Sequence, residues 1–288
     1  MSFAPTSAQL KALAAEGYNR VPLTRAISGD YDTPLSVYRK LADAPNSYLF
    51  ESVMGGERWG RYSIIGLAAR TVLRVYGHKI EVRRDNELIE TTEADDPLAW
   101  VEAFKGRFRV FEPEGMPRFH GGLVGYFGFE TIRYIEPRLA ASPPKPDPLG
   151  TPDILLMVSE QVVVVDNLSS QLLLVTLVDP AQADALEAGA HHLDALTERL
   201  RSEQVHYAPL DQPRHIDEND FTASFTREGY ESAVLKIREY IAAGDVMQVV
   251  PSQRMTIGYD APPIDLYRAL RSLNPSPYMY FIDCGDHQ

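Results

Sequence analysis

"ILLMVSEQVVVVDNLSSQLLLVTLV", residues 154–178, decides the fold. Apolar residues stand at nearly every position on either side of a polar break at Asp166–Ser170. A strand with one wet face alternates apolar and polar residues; a run that is apolar on both parities is buried on both faces. Asp, Asn and Ser in the break favour a turn. The stretch reads as a hairpin in the middle of a core.

Working outward, "SYLFESV" (47–53) reads as a strand, and "GRYSIIGL" (60–67), after a Gly55-Gly56 turn, as its neighbour. "RTVLRVYGHKIEVRR" puts Val72, Arg74 and Tyr76 on one parity, turns at Gly77-His78 and resumes with Ile80 and Val82, a hairpin with one wet face. Helices are expected after Thr6, with Gly17 as the stop, and after Thr33 with Pro34 at the first helical position. Others follow over "DPLAWVEAFKGRF", "PAQADALEAGAHHLDALTERLRS" and "APPIDLYRALRSLN". Thr226 caps a further helix, with Tyr230, Val234, Ile237 and Ile241 on one face and Gly244 at its end. "GGLVGYFGFETIRYIE" (121–136) is a glycine-dense strand leading into a helical turn, and the proline-dense 138–153 is a surface crossing. "VMQVVPSQRMTIGY" (246–259) reads as a strand, as does 278–282, which has no partner strand after it. Strands joined by hairpins argue for an α+β chain with antiparallel sheets rather than a doubly wound parallel sheet.

Composition narrows the function. The 288 residues allow one large domain or two, and 44% hydrophobic content supports a sizeable core. Forty acidic residues against 28 basic give a net charge of -12, and no Lys/Arg cluster offers a footprint for nucleic acid. A lone cysteine, Cys284, excludes an internal disulfide and fits a reducing compartment. The first residues lack a secretion signal's basic and apolar regions, and the apolar runs fall well short of the ~20 residues that span a bilayer. A soluble cytoplasmic protein is the expectation. There is no HExxH or CxxC, and His191-His192 are adjacent on a helix, so their side chains diverge. No G-x-S-x-G is present, "GGLVGYFGFE" lacks the order of a dinucleotide fingerprint, and Cys284 reads as a packed thiol.

Three stretches carry chemistry. In "LFESVMGGERWGRYS" (49–63), Glu51 and Ser52 end an apolar strand, with Arg58 and Arg61 beyond a glycine corner. A carboxylate, a hydroxyl and a guanidinium there could hold a zwitterion, the carboxylate taking the ammonium; the alternative is an edge strand with a solvated turn. In "GDVMQVVPSQR" (244–254), Gln248 is an amide in a mostly apolar strand, either satisfied by backbone or facing a polar pocket. In "NPSPYMYF" (274–281), Pro275 and Pro277 stiffen a corner and leave carbonyls free, followed by Tyr278 and Met279. It is either a clasp for a flat apolar ring or a plain helix-to-strand turn.

Taken together, "LFES", "GGLVGYFGFETIRYIE", "GDVMQVVPSQR" and "NPSPYMYF" resemble, in order and spacing, component I of anthranilate synthase among the chorismate-utilising enzymes. The resemblance runs from about residue 20 to the end. It implies two packed, largely antiparallel sheets with helices outside. The polar, unpatterned stretch 204–225 reads as a linker, and the resemblance makes 1–203 a region bearing a feedback site and 226–288 the start of a chorismate-binding core. It implies a site for L-tryptophan, an inhibitor, made by Glu51, Ser52, Arg61, Pro277, Tyr278 and Met279 and lying between the sheets. Gln248 would mark an active-site position; relatives that use water carry a lysine there, so glutamine points to ammonia as nucleophile. The implied reaction takes chorismate and ammonia to anthranilate and pyruvate, with Mg²⁺ as cofactor and a glutamine amidotransferase, component II, as partner. The Mg²⁺ ligands and main catalytic groups would lie beyond residue 288, with no metal ligand in this chain. The alternatives are aminodeoxychorismate synthase component I and a non-catalytic tryptophan-binding fragment.

Overall fold

Thr6, Thr33 and Asp96 each start a helix as their spacing requires. Their side chains accept from the backbone N–H groups of Gln9, Ser36 and Ala99, satisfying donors that the helix itself leaves free. A computed structural model describes residues 3–52, 60–143, 147–205 and 215–288. The chain divides into two compact units, Met1–Val205 with Leu266–Gln288, and His206–Asp265.

The first unit runs α1 (Ser7–Ala15), β1 (Val21–Ser28), α2 (Pro34–Leu41), β2 (Ser47–Glu51), β3 (Tyr62–Gly66), β4 (Thr71–Tyr76), β5 (Lys79–Arg84) and β6 (Glu87–Glu93). It continues with α3 (Pro97–Lys105), β7 (Gly122–Phe127), α4 (Pro137–Ala140), β8 (Ile154–Ser159), β9 (Gln161–Asp166), β10 (Gln171–Val178) and α5 (Ala185–Ser202). The second unit holds β11 (Thr222–Ala223), α6 (Arg227–Ala243) and β12 (Met255–Thr256). The chain then returns through α7 (Pro263–Leu273) to β13 (Met279–Asp283) in the first unit.

Two antiparallel sheets result, a six-stranded one in the order β1-β10-β9-β3-β2-β13 and a five-stranded one in the order β6-β5-β4-β8-β7. They face each other across a shared core of Tyr48 and Cys284 from one side and Val72, Val124, Leu155 and Met157 from the other. On the far face of the five-stranded sheet, Leu73, Val75, Leu156 and Val158 pack against Val101 and Phe104 of α3. The expected α+β architecture, with helices outside, is the one observed.

Three local readings are corrected, and two strands, β1 and β6, are added. Residues 154–166, read as one strand, are two: β8 pairs with β4 and β7, β9 pairs with β10 and β3, and the chain changes sheets at Glu160. That carboxylate is held by Arg20, 2.8 Å from its Nε, at the start of β1. β1 and β6 carry little strand signal. Pro22 interrupts β1, and proline is tolerated there because β1 is an edge strand; β6 is polar apart from Leu88 and Ile89, which are exposed. Residues 246–254 are not a strand. Without a neighbouring ladder among the described residues, Val246, Val249 and Val250 are exposed, and only β12 pairs, with β11. Finally, β13 does have a partner: it joins β2, so 266–288 belongs to the first unit rather than with 226–265. The Gly55-Gly56 turn, Arg58 and residues 206–214 of the expected linker lie outside the described residues.

Candidate functional site

β2 ends in Glu51, with Ser52 just beyond, because the apolar run ends there, and β13 lies antiparallel against it with Met279 opposite Glu51 and Phe281 opposite Leu49. Between α7 and β13 the chain turns through Asn274–Tyr278. Asn274 closes the helix by donating its N–H to Leu270 O at 2.9 Å, and Pro275 cannot continue it. The Ser52 hydroxyl donates to Pro277 O at 2.7 Å, tying the strand end to the corner. Pro277 is exposed, Tyr278 is 69% exposed and Met279 is half-buried, so the corner presents apolar surface to solvent.

Glu51 is the electrostatic centre of this region. Its side chain is 1% exposed, and its oxygens accept from Arg271 Nε at 2.7 Å and Arg271 Nη2 at 2.8 Å. Tyr267 adds a third bond, donating its hydroxyl at 2.9 Å. Tyr267 and Arg271 are four residues apart on α7 and therefore share a face. A planar guanidinium meeting both carboxylate oxygens is the strong form of an ion pair, and a buried carboxylate left without one would be costly. Burial, and next the neighbouring Glu51 carboxylate, push the Tyr267 hydroxyl above its usual pKa, so it is a firm donor. Beneath the pair, Phe281 packs against Tyr267 (ring centroids 6.0 Å apart) and edge-on against Tyr38 (5.7 Å).

Of the expected residues, the structure brings together Glu51, Ser52, Pro277 and Met279 at one end of the β2–β13 pair, with Tyr278 beside them. They sit at and just beyond the ends of neighbouring strands of one sheet rather than between the two sheets. Arg61 is engaged elsewhere. Its Nη2 meets Asp166 Oδ2 at 2.7 Å and its Nε meets Oδ1 at 3.1 Å, so it points toward β9, on the opposite side of β3 from β2. That hydrogen-bonded pairing lowers Asp166 to a pKa of about 2. Gln248 lies in the second unit and is exposed, so it is not the buried amide expected. Tyr267 and Arg271 were missed. The signal was present in a glutamate ending an apolar strand, which demands a cation, and in an arginine on the amphipathic helix leading into the corner.

No helix of the described residues is long and apolar enough to cross a membrane. No group of three or more His, Cys, Asp or Glu side chains among them is placed to hold a metal ion.

Residues 61–288 match the chorismate binding enzyme family. The chain belongs to that family. The family match begins after β2, so Glu51 and Ser52 precede it, yet the strand they end pairs with β13 inside it. The chain is 57% identical over 281 residues to "Anthranilate synthase component 1" of Pseudomonas aeruginosa, covering 95% of this chain and 56% of that protein. It is 47% identical over 281 residues to the protein of the same name from Neisseria meningitidis serogroup B, again covering 56% of the relative. The chain thus spans little more than half the length of the curated relatives it matches. Among solved structures, anthranilate synthase component I from Streptococcus pneumoniae superposes with a TM-score of 0.59 at 25% identity, over 91% of this chain and 55% of that one.

Proposed function

We propose that this chain is the N-terminal part of an anthranilate synthase component I, and that the end of the β2–β13 pair is its L-tryptophan feedback site. The observation that carries the reading is the Ser52–Pro277 hydrogen bond, which joins the two sequence-distant motifs of the expected site into one surface. The exposed Pro277 and Tyr278 and the half-buried Met279 offer an apolar platform of the kind that takes a flat ring. The Ser52 hydroxyl and the corner carbonyls offer polar partners for an amino acid's backbone. Glu51 belongs to the same site, and Arg61 stands one strand away.

In the whole protein the reaction would be amination of chorismate at C2 with loss of the C4 hydroxyl, then elimination of pyruvate to leave anthranilate. The ammonia would be delivered by a glutamine amidotransferase, component II, in the cytoplasm. Gln248 supports ammonia over water as nucleophile, because a carboxamide cannot serve as the base that activates water. Mg²⁺ would neutralise the chorismate carboxylate. The described residues supply no cluster that fits a metal, so its ligands would come from elsewhere in the whole protein. Bound tryptophan would act on the distant chemistry as a coupling between two sites.

Titration calorimetry of L-tryptophan into the purified chain, with L-phenylalanine as control, tests the reading. Selective heat with tryptophan, lost in Ser52→Ala and Met279→Ala, is the expected result. No binding by a folded chain, or equal binding of both amino acids, would overturn it.

A further inference from the structure

Residues 271–279 form a loop with both ends fixed on one residue. Arg271 grips the Glu51 carboxylate with two nitrogens, and Met279 stands opposite Glu51 in the β2–β13 ladder. The adjacent Ser52 holds the apex of the same loop through Pro277 O. The geometry of the corner is therefore set by β2, through Glu51 and Ser52, as much as by the two prolines.

We infer that Glu51, Tyr267 and Arg271 are positioning residues of the corner, and that Glu51 is not the ligand of a bound amino acid's ammonium group. The inference rests on the tryptophan reading for its ligand, but not for its geometry. Three donors already occupy the carboxylate: Oε2 accepts from Tyr267 and from Arg271 Nε, and Oε1 accepts from Arg271 Nη2. With the side chain 1% exposed, the acceptor site left on Oε1 is closed to solvent, so an incoming ammonium would have to shed its water and open the packing around the pair to reach it. The Glu51–Arg271 pair is neutral as a unit, so it offers an ammonium no net attraction. The buried anion instead locks the last turn of α7, and with it the presentation of Pro277, Tyr278 and Met279. Loss of any of the three groups should weaken every ligand of the corner by a similar factor, whether or not that ligand carries an amino group.

The experiment compares L-tryptophan with indole-3-propionate, which keeps the indole and carboxylate and lacks the ammonium. Both are titrated calorimetrically into the wild-type chain and the Glu51→Gln, Arg271→Lys and Tyr267→Phe variants. Tyr267→Phe removes one hydroxyl and keeps the ring packed on Phe281, so it is the variant least burdened by misfolding. Both affinities are expected to fall together, by about tenfold or more in Arg271→Lys, with their ratio unchanged. Val175→Ala, a core truncation in β10, should lower stability and leave both affinities alone, which separates positioning from general destabilisation. A ratio that collapses in Glu51→Gln, with indole-3-propionate unaffected, would make Glu51 the ammonium ligand and overturn the inference. So would unchanged affinities in all three variants. If the wild-type chain binds neither compound, the tryptophan reading fails by itself, and amide hydrogen exchange across 274–280 decides the inference: faster exchange in Tyr267→Phe and Arg271→Lys supports it, and unchanged exchange refutes it.

Discussion

The ring of Tyr48 in β2 lies where a side chain on Gly66 of β3 would have to stand. A Cβ at Gly66 would overlap Cε1 and Cζ of that ring. The glycine is thus required by a close approach between neighbouring strands rather than by an unusual backbone angle. Gly66→Ala is expected to destabilise the chain by about 3 kcal/mol or more, because Tyr48 is 1% exposed and has no free volume to move into. Urea denaturation checks this; a variant within about 0.5 kcal/mol of wild type would mean that the strands separate without cost.

The Tyr48 hydroxyl lies 2.7 Å from Ser159 Oγ, a buried hydrogen bond from the six-stranded sheet to β8 of the other. Tyr48→Phe leaves the serine hydroxyl without that partner and should cost about 1–3 kcal/mol. Tyr48→Phe combined with Ser159→Ala should cost less than the sum of the single changes. A double-mutant cycle on denaturation free energies measures the coupling, and strict additivity would show that the bond contributes nothing.

Asp166 is held at a pKa of about 2 by Arg61, below its ordinary 3.8. A carboxyl whose folded-state pKa is depressed adds stability above its unfolded pKa and loses that contribution as pH falls through the folded value. The stability gap between wild type and Asp166→Asn should therefore be constant above about pH 5 and shrink from pH 4 toward pH 2. Arg61 is 43% exposed, so the gap should be small and should narrow with added salt. Denaturation midpoints over that range give the answer; a gap that widens on acidification would contradict the pairing.

Cys284 is buried, and that burial pushes its thiol up to about 11. The thiolate is the reactive form, so the native chain should react with a thiol reagent such as DTNB at pH 8 far more slowly than the same chain in denaturant. Equal rates would show that Cys284 is reached without unfolding.

Much of this was legible in the sequence, for identifiable reasons. The caps at Thr6 and Thr33 and the turn at Gly77-His78 act over a few residues, and their side chains announce them. The buried pair β9–β10 could be read because valine and leucine fill both parities. What was not legible depends on distant partners. Nothing local tells residues 154–166 to change sheets at Glu160, or β13 to seek β2, which lies more than two hundred residues earlier in the chain. At the site, Glu51, Ser52, Pro277 and Met279 do come together. Their assembly could be anticipated only through a family pattern, and the Arg271–Tyr267 clasp on Glu51 required the helix to be seen in place. Arg61 pairs with Asp166, 105 residues further along the chain, a partner that no local pattern announces.

The change of sheets at Glu160 bears on how the molecule comes apart. One residue separates β8, inside one sheet, from β9, inside the other. Both are interior strands with neighbours on each side, so the two layers are sewn together through their middles rather than clipped at their rims. Peeling either strand out of its layer drags on the other, and neither layer can open while its twin stays shut. The amides of β8 and β9 should exchange with solvent as one cooperative block, with a single opening free energy shared across both sheets.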